Sequence, residues 1–173
     1  MNLILCGMMG AGKTTVGVKI AERTGRRWYD TDQIIVHRHG KISDIFEYYG
    51  EEHFRRLETE VVKELAPQDE LVISAGGGLV LRSENNELLK KNGVIVFLRA
   101  GVQTLVGRLG LFHDRPLLQG KESVVGQKLT ELMQERTPVY EGVSDYIVSV
   151  DGKTPDEIAD EILSLLKEGA GTR

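Results

Sequence analysis

Gly7-Met8-Met9-Gly10-Ala11-Gly12-Lys13-Thr14 decides the reading of this chain. The stretch satisfies the phosphate-binding spacing G-x-x-x-x-G-K-[ST] at every fixed position. Glycines let the backbone turn back so that successive N–H groups converge on an anion. A helix opening near Lys13 adds its positive end to the same point. Lys13 can then reach the outer phosphates of a nucleotide, and the Thr14 hydroxyl can ligate Mg²⁺. The flanks agree. Asn2-Leu3-Ile4-Leu5-Cys6 is a short apolar run that reads as a buried strand. Thr14 to Thr24 reads as a helix with Val16, Ile20 and Ala21 on one face and Gly25 as its stop. An ordinary glycine turn between strand and helix is the alternative, but it gives no reason for Lys-Thr after the last glycine.

Composition bounds the rest. A chain of 173 residues with 40% hydrophobic and 28% charged residues suits one soluble domain. The formal net charge of -4 argues against nucleic-acid binding through bulk positive charge. With one cysteine, Cys6, no intrachain disulfide can form; the thiol reads as a small buried hydrophobe in a reducing compartment. The apolar start lacks a basic leader, and no stretch reaches the length of a membrane span. The expected molecule is a cytoplasmic monomer, with one domain over 1-168 and a flexible tail over 169-173.

Further short strands are expected at Arg27-Trp28-Tyr29, ending at Asp30, and at Leu71–Ser74, Val94–Leu98 and Tyr146–Val150. Helical patterns separate them, which predicts an α/β fold with a parallel sheet covered on both faces. Ligands of such sheets bind beyond the carboxyl ends of the strands. After the second strand stands Asp30-Thr31-Asp32: one carboxylate could hold Mg²⁺ through its waters, the other could orient a substrate hydroxyl. An N-cap for the next helix is the alternative reading of this pair. The third strand ends in Ser74, where many phosphate-loop proteins carry an acid, so Asp30 becomes the metal-side candidate. Between 31 and 65 the pattern is helical and broken by Gly40 and Gly50. Ser43 is expected to cap a short helix, with Ile42 as a staple. A longer helix covers Glu51–Leu65. On it, Arg55 and Glu58 are either a solvated i,i+3 pair or an arginine held rigid to clamp a carboxylate.

Ala75-Gly76-Gly77-Gly78 follows the third strand. Three glycines cost backbone entropy and pack nothing, which points to close approach of a ligand rather than a simple bulge. The segment at about 110-121, with glycines at both ends and Arg115 inside, is either a surface loop or a lid that brings Arg115 to a γ-phosphate. A helix over Ser123–Arg136 comes next, then Tyr140. Thr154-Pro155-Asp156-Glu157 is a capping box for the last helix.

Taken together, Gly7–Thr14, Asp30-Thr31-Asp32, Phe54-Arg55-Arg56-Leu57-Glu58, Gly76-Gly77-Gly78, Arg115-Pro116-Leu117-Leu118 and Glu135-Arg136 with Tyr140 resemble the shikimate kinase family over the whole chain. The resemblance implies a three-layer P-loop kinase fold like that of nucleoside monophosphate kinases, with a five-stranded parallel sheet in the order 2-3-1-4-5. It implies ATP-dependent phosphorylation of the 3-hydroxyl of shikimate, on the route to chorismate and the aromatic amino acids, with Mg²⁺ as cofactor. It carries over catalytic roles for Lys13, Asp32 and Arg115. Nucleotide contacts fall to Gly10, Ala11, Gly12, Lys13, Thr14, Thr15, Arg108, Arg115 and Lys153. Shikimate contacts fall to Asp32, Arg55, Gly76, Gly77, Gly78 and Arg136, and metal contacts to Thr14 and Asp30. Two rivals stand beside this reading: another small-molecule kinase of gluconate type, and a nucleotide-binding module without catalysis.

Overall fold

The computed structural model describes residues 1–109 and 122–170. Five strands, β1 (Asn2–Cys6), β2 (Arg27–Asp30), β3 (Leu71–Ser74), β4 (Gly93–Arg99) and β5 (Tyr146–Ser149), form one parallel sheet in the order β2-β3-β1-β4-β5. This is the order expected above. Parallel strands need helical crossovers, and these cover both faces, so central strands carry unbroken apolar runs. Every residue of β1 and β3 is buried. The edge strands β2 and β5 keep more solvent contact, with Ile147 exposed.

The crossovers are α1 (Lys13–Thr24), the trio α2 (Thr31–His39), α3 (Ile42–Tyr49) and α4 (Glu51–Leu65), then α5 (Ser83–Lys90), α6 (Val102–Leu109) and α7 (Glu122–Val143). The chain closes with α8 (Pro155–Ala170), which lies against α1. The amphipathic pattern of α4 is realised: Phe54, Leu57, Val61, Val62 and Leu65 are all buried. Burying side chains of this size stabilises by roughly 1.5–3 kcal/mol each. Gly25, at φ 72°, stops α1, and the Thr154–Glu157 capping box opens α8 with reciprocal bonds of 3.2 and 2.7 Å.

Three local expectations fail. Ser43 does not cap α3; Lys41 holds the extended N-cap position, and the Ser43 hydroxyl turns to Asp44 inside the first turn. The helix expected to end at Arg136 runs on to Val143 through Pro138. Pro138 has no N–H for the preceding turn, but Tyr140, one turn beyond Arg136, is fully buried and anchors the continuation. The tail does not begin at 169: α8 continues to Ala170, and Gly169 lies where a Cβ would strike the Tyr146 hydroxyl.

Because all strands run parallel, their carboxyl ends share one edge of the sheet. Ser74 stands opposite Asp30 on one side and opposite Leu5 on the other. The phosphate loop, Asp30–Asp32 and Ala75–Gly78 therefore emerge side by side.

Candidate active site

The loop after β1 turns through Gly7, Gly10 and Gly12 at φ 138°, 81° and 97°, a region L side chains rarely enter. At Gly7 a Cβ would also stand 2.6 Å from the Leu98 carbonyl oxygen of β4. Gly12 is the N-cap of α1 and brings no side-chain cap to the helix N-terminus. The backbone donors there face the loop, where the helix dipole favours an anion. The Lys13 ammonium is drawn back over the loop, donating to the Gly7 and Met8 carbonyls at 2.9 and 2.8 Å. Arg108, from α6, donates to the Gly10 carbonyl at 3.1 Å.

Thr14 donates to Asp30 Oδ2 at 2.7 Å, while Asp30 Oδ1 accepts from the Gln33 amide at 3.1 Å. The two readings of Asp30 are thus compatible: it caps α2 and also stands beside the Thr14 hydroxyl. A cleft of about 700 Å³ runs from Arg108 and Pro155 past the loop to Asp30 and Asp32. Gly10, Ala11, Gly12, Lys13, Thr14 and Thr15 all line it.

Beyond Asp32 the site becomes a buried ionic cluster. Arg55, 9% exposed, donates to Glu58 Oε2 at 2.8 Å and through Nε and Nη2 to Glu51 Oε1 at 3.2 and 2.8 Å. The i,i+3 pair is therefore a rigid, desolvated one and not a solvated surface contact. The glycines after β3 explain its seat. A Cβ on Gly76 would strike Asp32, and one on Gly78 would strike the Arg55 guanidinium. At Gly77 a Cβ would lie 3.6 Å from Arg136 Nη1. Two of the three glycines thus make room for the protein's own Asp32 and Arg55. The Gly76 amide donates to the Thr31 hydroxyl at 2.9 Å, and the Tyr140 hydroxyl donates to the Gly77 carbonyl at 2.5 Å.

Burial pushes the Glu58 carboxyl up to about 7, against the pull of the Arg55 guanidinium; Asp32 adds to the rise and Arg136 opposes it. Burial likewise pushes the Tyr140 phenol up to about 12, so it donates as a neutral hydroxyl. Glu58 Oε1 and Arg136 Nε are buried without a hydrogen-bond partner among the described residues. A buried guanidinium N–H of this kind suits a ligand carboxylate.

The structure brings together all the predicted side chains that it describes except Lys153. That ammonium pairs with Glu161 at 2.6 Å, and Pro155 and Ile158 reach the cleft instead. Arg115 and the segment 110-121 lie outside the described residues. Sequence reasoning missed Thr31 and Tyr140 as supports of the glycine stretch. Their contacts span 45 and 63 residues, and no local periodicity signals such pairs.

A phosphate loop on a 2-3-1-4-5 parallel sheet, with paired acids in its cleft and a buried arginine pair behind the glycine stretch that Asp32 abuts, defines a P-loop kinase of a small anionic substrate. Comparison with known proteins narrows the class. The family model for shikimate kinase matches residues 9–167. Shikimate kinase from Thermodesulfovibrio yellowstonii is 42% identical over 163 residues, covering 94% of this chain and 92% of that protein. The structure of shikimate kinase from Acinetobacter baumannii in complex with shikimate superposes with a TM-score of 0.92 at 38% identity, covering 97% of this chain and 93% of that one. A gluconokinase from Sinorhizobium meliloti, at 22% identity and a TM-score of 0.59, shares the fold only. The chain belongs to the shikimate kinase family, and its activity is the ATP-dependent phosphorylation of shikimate.

Proposed function

We propose that the chain transfers the γ-phosphoryl group of ATP to the 3-hydroxyl of shikimate, with the roles divided along the cleft. The loop amides and Lys13 hold the outer phosphates. Thr14 and Asp30 offer hard oxygen donors 2.7 Å apart beside that loop, a set that fits Mg²⁺, which binds few protein oxygens and completes its shell with phosphates and water. When bound, the ion would neutralise charge on the β- and γ-phosphates. Asp32 accepts the hydrogen bond of the attacking hydroxyl and aims it. Phosphoryl transfer through a loose transition state needs alignment more than a strong base.

Arg55 and Arg136 grip the substrate carboxylate. Hydrogen bonds to charged groups contribute roughly 1.5–3 kcal/mol each, and two planar guanidiniums also fix the register. Gly76, Gly77 and Gly78 contact the substrate from the backbone side. Arg108 flanks the base of the nucleotide, with the turn around Lys153 and Pro155 opposite. Arg115 is assigned to charge on the transferring group by the family resemblance alone. The enzyme acts as a monomer in the cytoplasm, a reducing compartment that suits the free, buried thiol of Cys6.

One observation carries the reading. Asp32 lines the same cleft as Lys13 and Thr14, and the stretch it abuts, Gly76–Gly78, also abuts Arg55 and Arg136. The test is ADP release in a coupled assay with ATP, Mg²⁺ and shikimate, against omission of each and against gluconate. Turnover that requires all three and ignores gluconate is expected. Turnover with gluconate but not shikimate would overturn the substrate assignment, and ATP binding without any turnover would favour a non-catalytic module.

A further inference from the structure

At the end of β3, beside the phosphate loop, Ser74 occupies the position where an acid is common in phosphate-loop proteins. It is 1% exposed. The Trp28 indole N–H donates to its hydroxyl at 3.0 Å, and that hydroxyl donates to the Lys13 carbonyl at 2.9 Å. The direction of the chain is fixed chemically. An indole N–H can only donate, so the serine proton is left for the carbonyl. A second observation is independent of these bonds. Gly17 sits inside α1, where glycine costs about 1 kcal/mol relative to alanine. A Cβ there would stand 2.6 Å from Ser74 Oγ and 2.7 Å from Trp28 Nε1. The helix gives up a side chain at the one point where this pair must reach its first turn.

We propose that Ser74, oriented by Trp28, is a positioning residue for the nucleotide site. It ties the first turn of α1 to the ends of β2 and β3. Trp28 precedes Asp30 by two residues on β2, and Asp30 pairs across from Ser74. Thr14 follows Lys13 and meets Asp30 at 2.7 Å. The Trp28–Ser74–Lys13 chain therefore lies directly beneath the Thr14–Asp30 contact and sets its spacing. Its hydrogen bonds run from β2 through β3 to the start of α1, so it governs the phosphate side of the cleft and leaves the carboxylate side alone.

This inference rests on the nucleotide reading of the loop. The test measures ADP and shikimate affinity by calorimetry, with the KM and kcat for each substrate, in the wild-type chain and in Ser74→Ala, Trp28→Phe and Gly17→Ala. Gly17→Ala is the sharpest variant, because it keeps the hydroxyl and the indole and improves helix propensity. A 5- to 10-fold weaker Kd for ADP is expected in each, with the KM for ATP rising in step. Shikimate affinity is expected to stay within twofold. If Ser74→Ala fails to fold, the other two variants carry the test. Unchanged ADP affinity in the folded variants would overturn the inference, as would ADP and shikimate affinities falling together. A wild-type chain that binds no ADP would overturn the nucleotide reading itself, and this inference with it.

Discussion

Asp32 and Glu58 are both acids beside Gly76, yet their surroundings set them apart. Asp32 lines the cleft beside the loop, where it can meet the reacting hydroxyl. Asp32→Asn is expected to lower kcat by about 10²-fold, the order lost when a reacting group is misaligned. ATP affinity measured by calorimetry should change little; a parallel loss of nucleotide binding would contradict the role. Arg136→Ala is expected to raise the KM for shikimate by about 10- to 100-fold, following the energies of charged hydrogen bonds, with the KM for ATP unmoved. Glu58 is a support for Arg55 and carries a pH signature. Burial raises its folded value to about 7 from 4.5, so the folded chain keeps the proton longer than the unfolded one. Stability from this group is therefore fully present at low pH and falls as pH rises from about 4.5 through 7. The full drop is about 3 kcal/mol at most. Glu58→Gln should remove it, so the Tm advantage of wild type over the variant should shrink between pH 5 and 8. Parallel Tm curves would show that Glu58 does not titrate in this way. At this scale the sequence was legible where spacing is local. The i,i+3 pair of Arg55 and Glu58 could be named, but its desolvation could not, because the glycine at 78 that seats it is distant in sequence.

Among the elements, those whose chemistry is local were read correctly: β1, the loop, the Gly25 stop and the α8 capping box. The failures differ in cause: for α7 a tertiary contact overrides the local signal, while for α3 a neighbouring turn shifts the cap. The helix expected over Ser123–Arg136 runs on because Tyr140 holds α7 against the Gly77 carbonyl and the Phe97 ring, whose centroid lies 5.0 Å away. Ser43 has a capping side chain, yet the turn after Gly40 puts Lys41 at the cap. The glycines after β3 were recognised as a site of close approach. What fills the space at two of them is Asp32 and Arg55, a fact that depends on α2 and α4 packing around the loop. Gly78→Ala tests that packing. The added methyl would overlap the Arg55 guanidinium and displace it. A rise in the KM for shikimate of at least 10-fold is expected, with the KM for ATP and the circular dichroism spectrum unchanged. An unaffected shikimate KM would mean that Arg55 does not need this seat.

Across the whole molecule, the parallel sheet is what turns scattered residues into one site. Strand ends that are distant in sequence lie at one edge, and β1 stands between β3 and β4 where the crossovers diverge. Sequence periodicity could give the strands and their parallel sense. The strand order came from family resemblance, because nothing local tells β1 to insert between β3 and β4. The account therefore depends on convergence: nucleotide and substrate must meet over Asp32. A crystal structure of the chain with shikimate and a non-hydrolysable ATP analogue tests this most directly. The expected result is the shikimate carboxylate on Arg55 and Arg136, with its 3-hydroxyl bonded to Asp32 and about 3–3.5 Å from the γ-phosphorus, in line for attack. Shikimate bound away from the Gly76–Gly78 stretch, or Asp32 turned from the outermost phosphate, would contradict it.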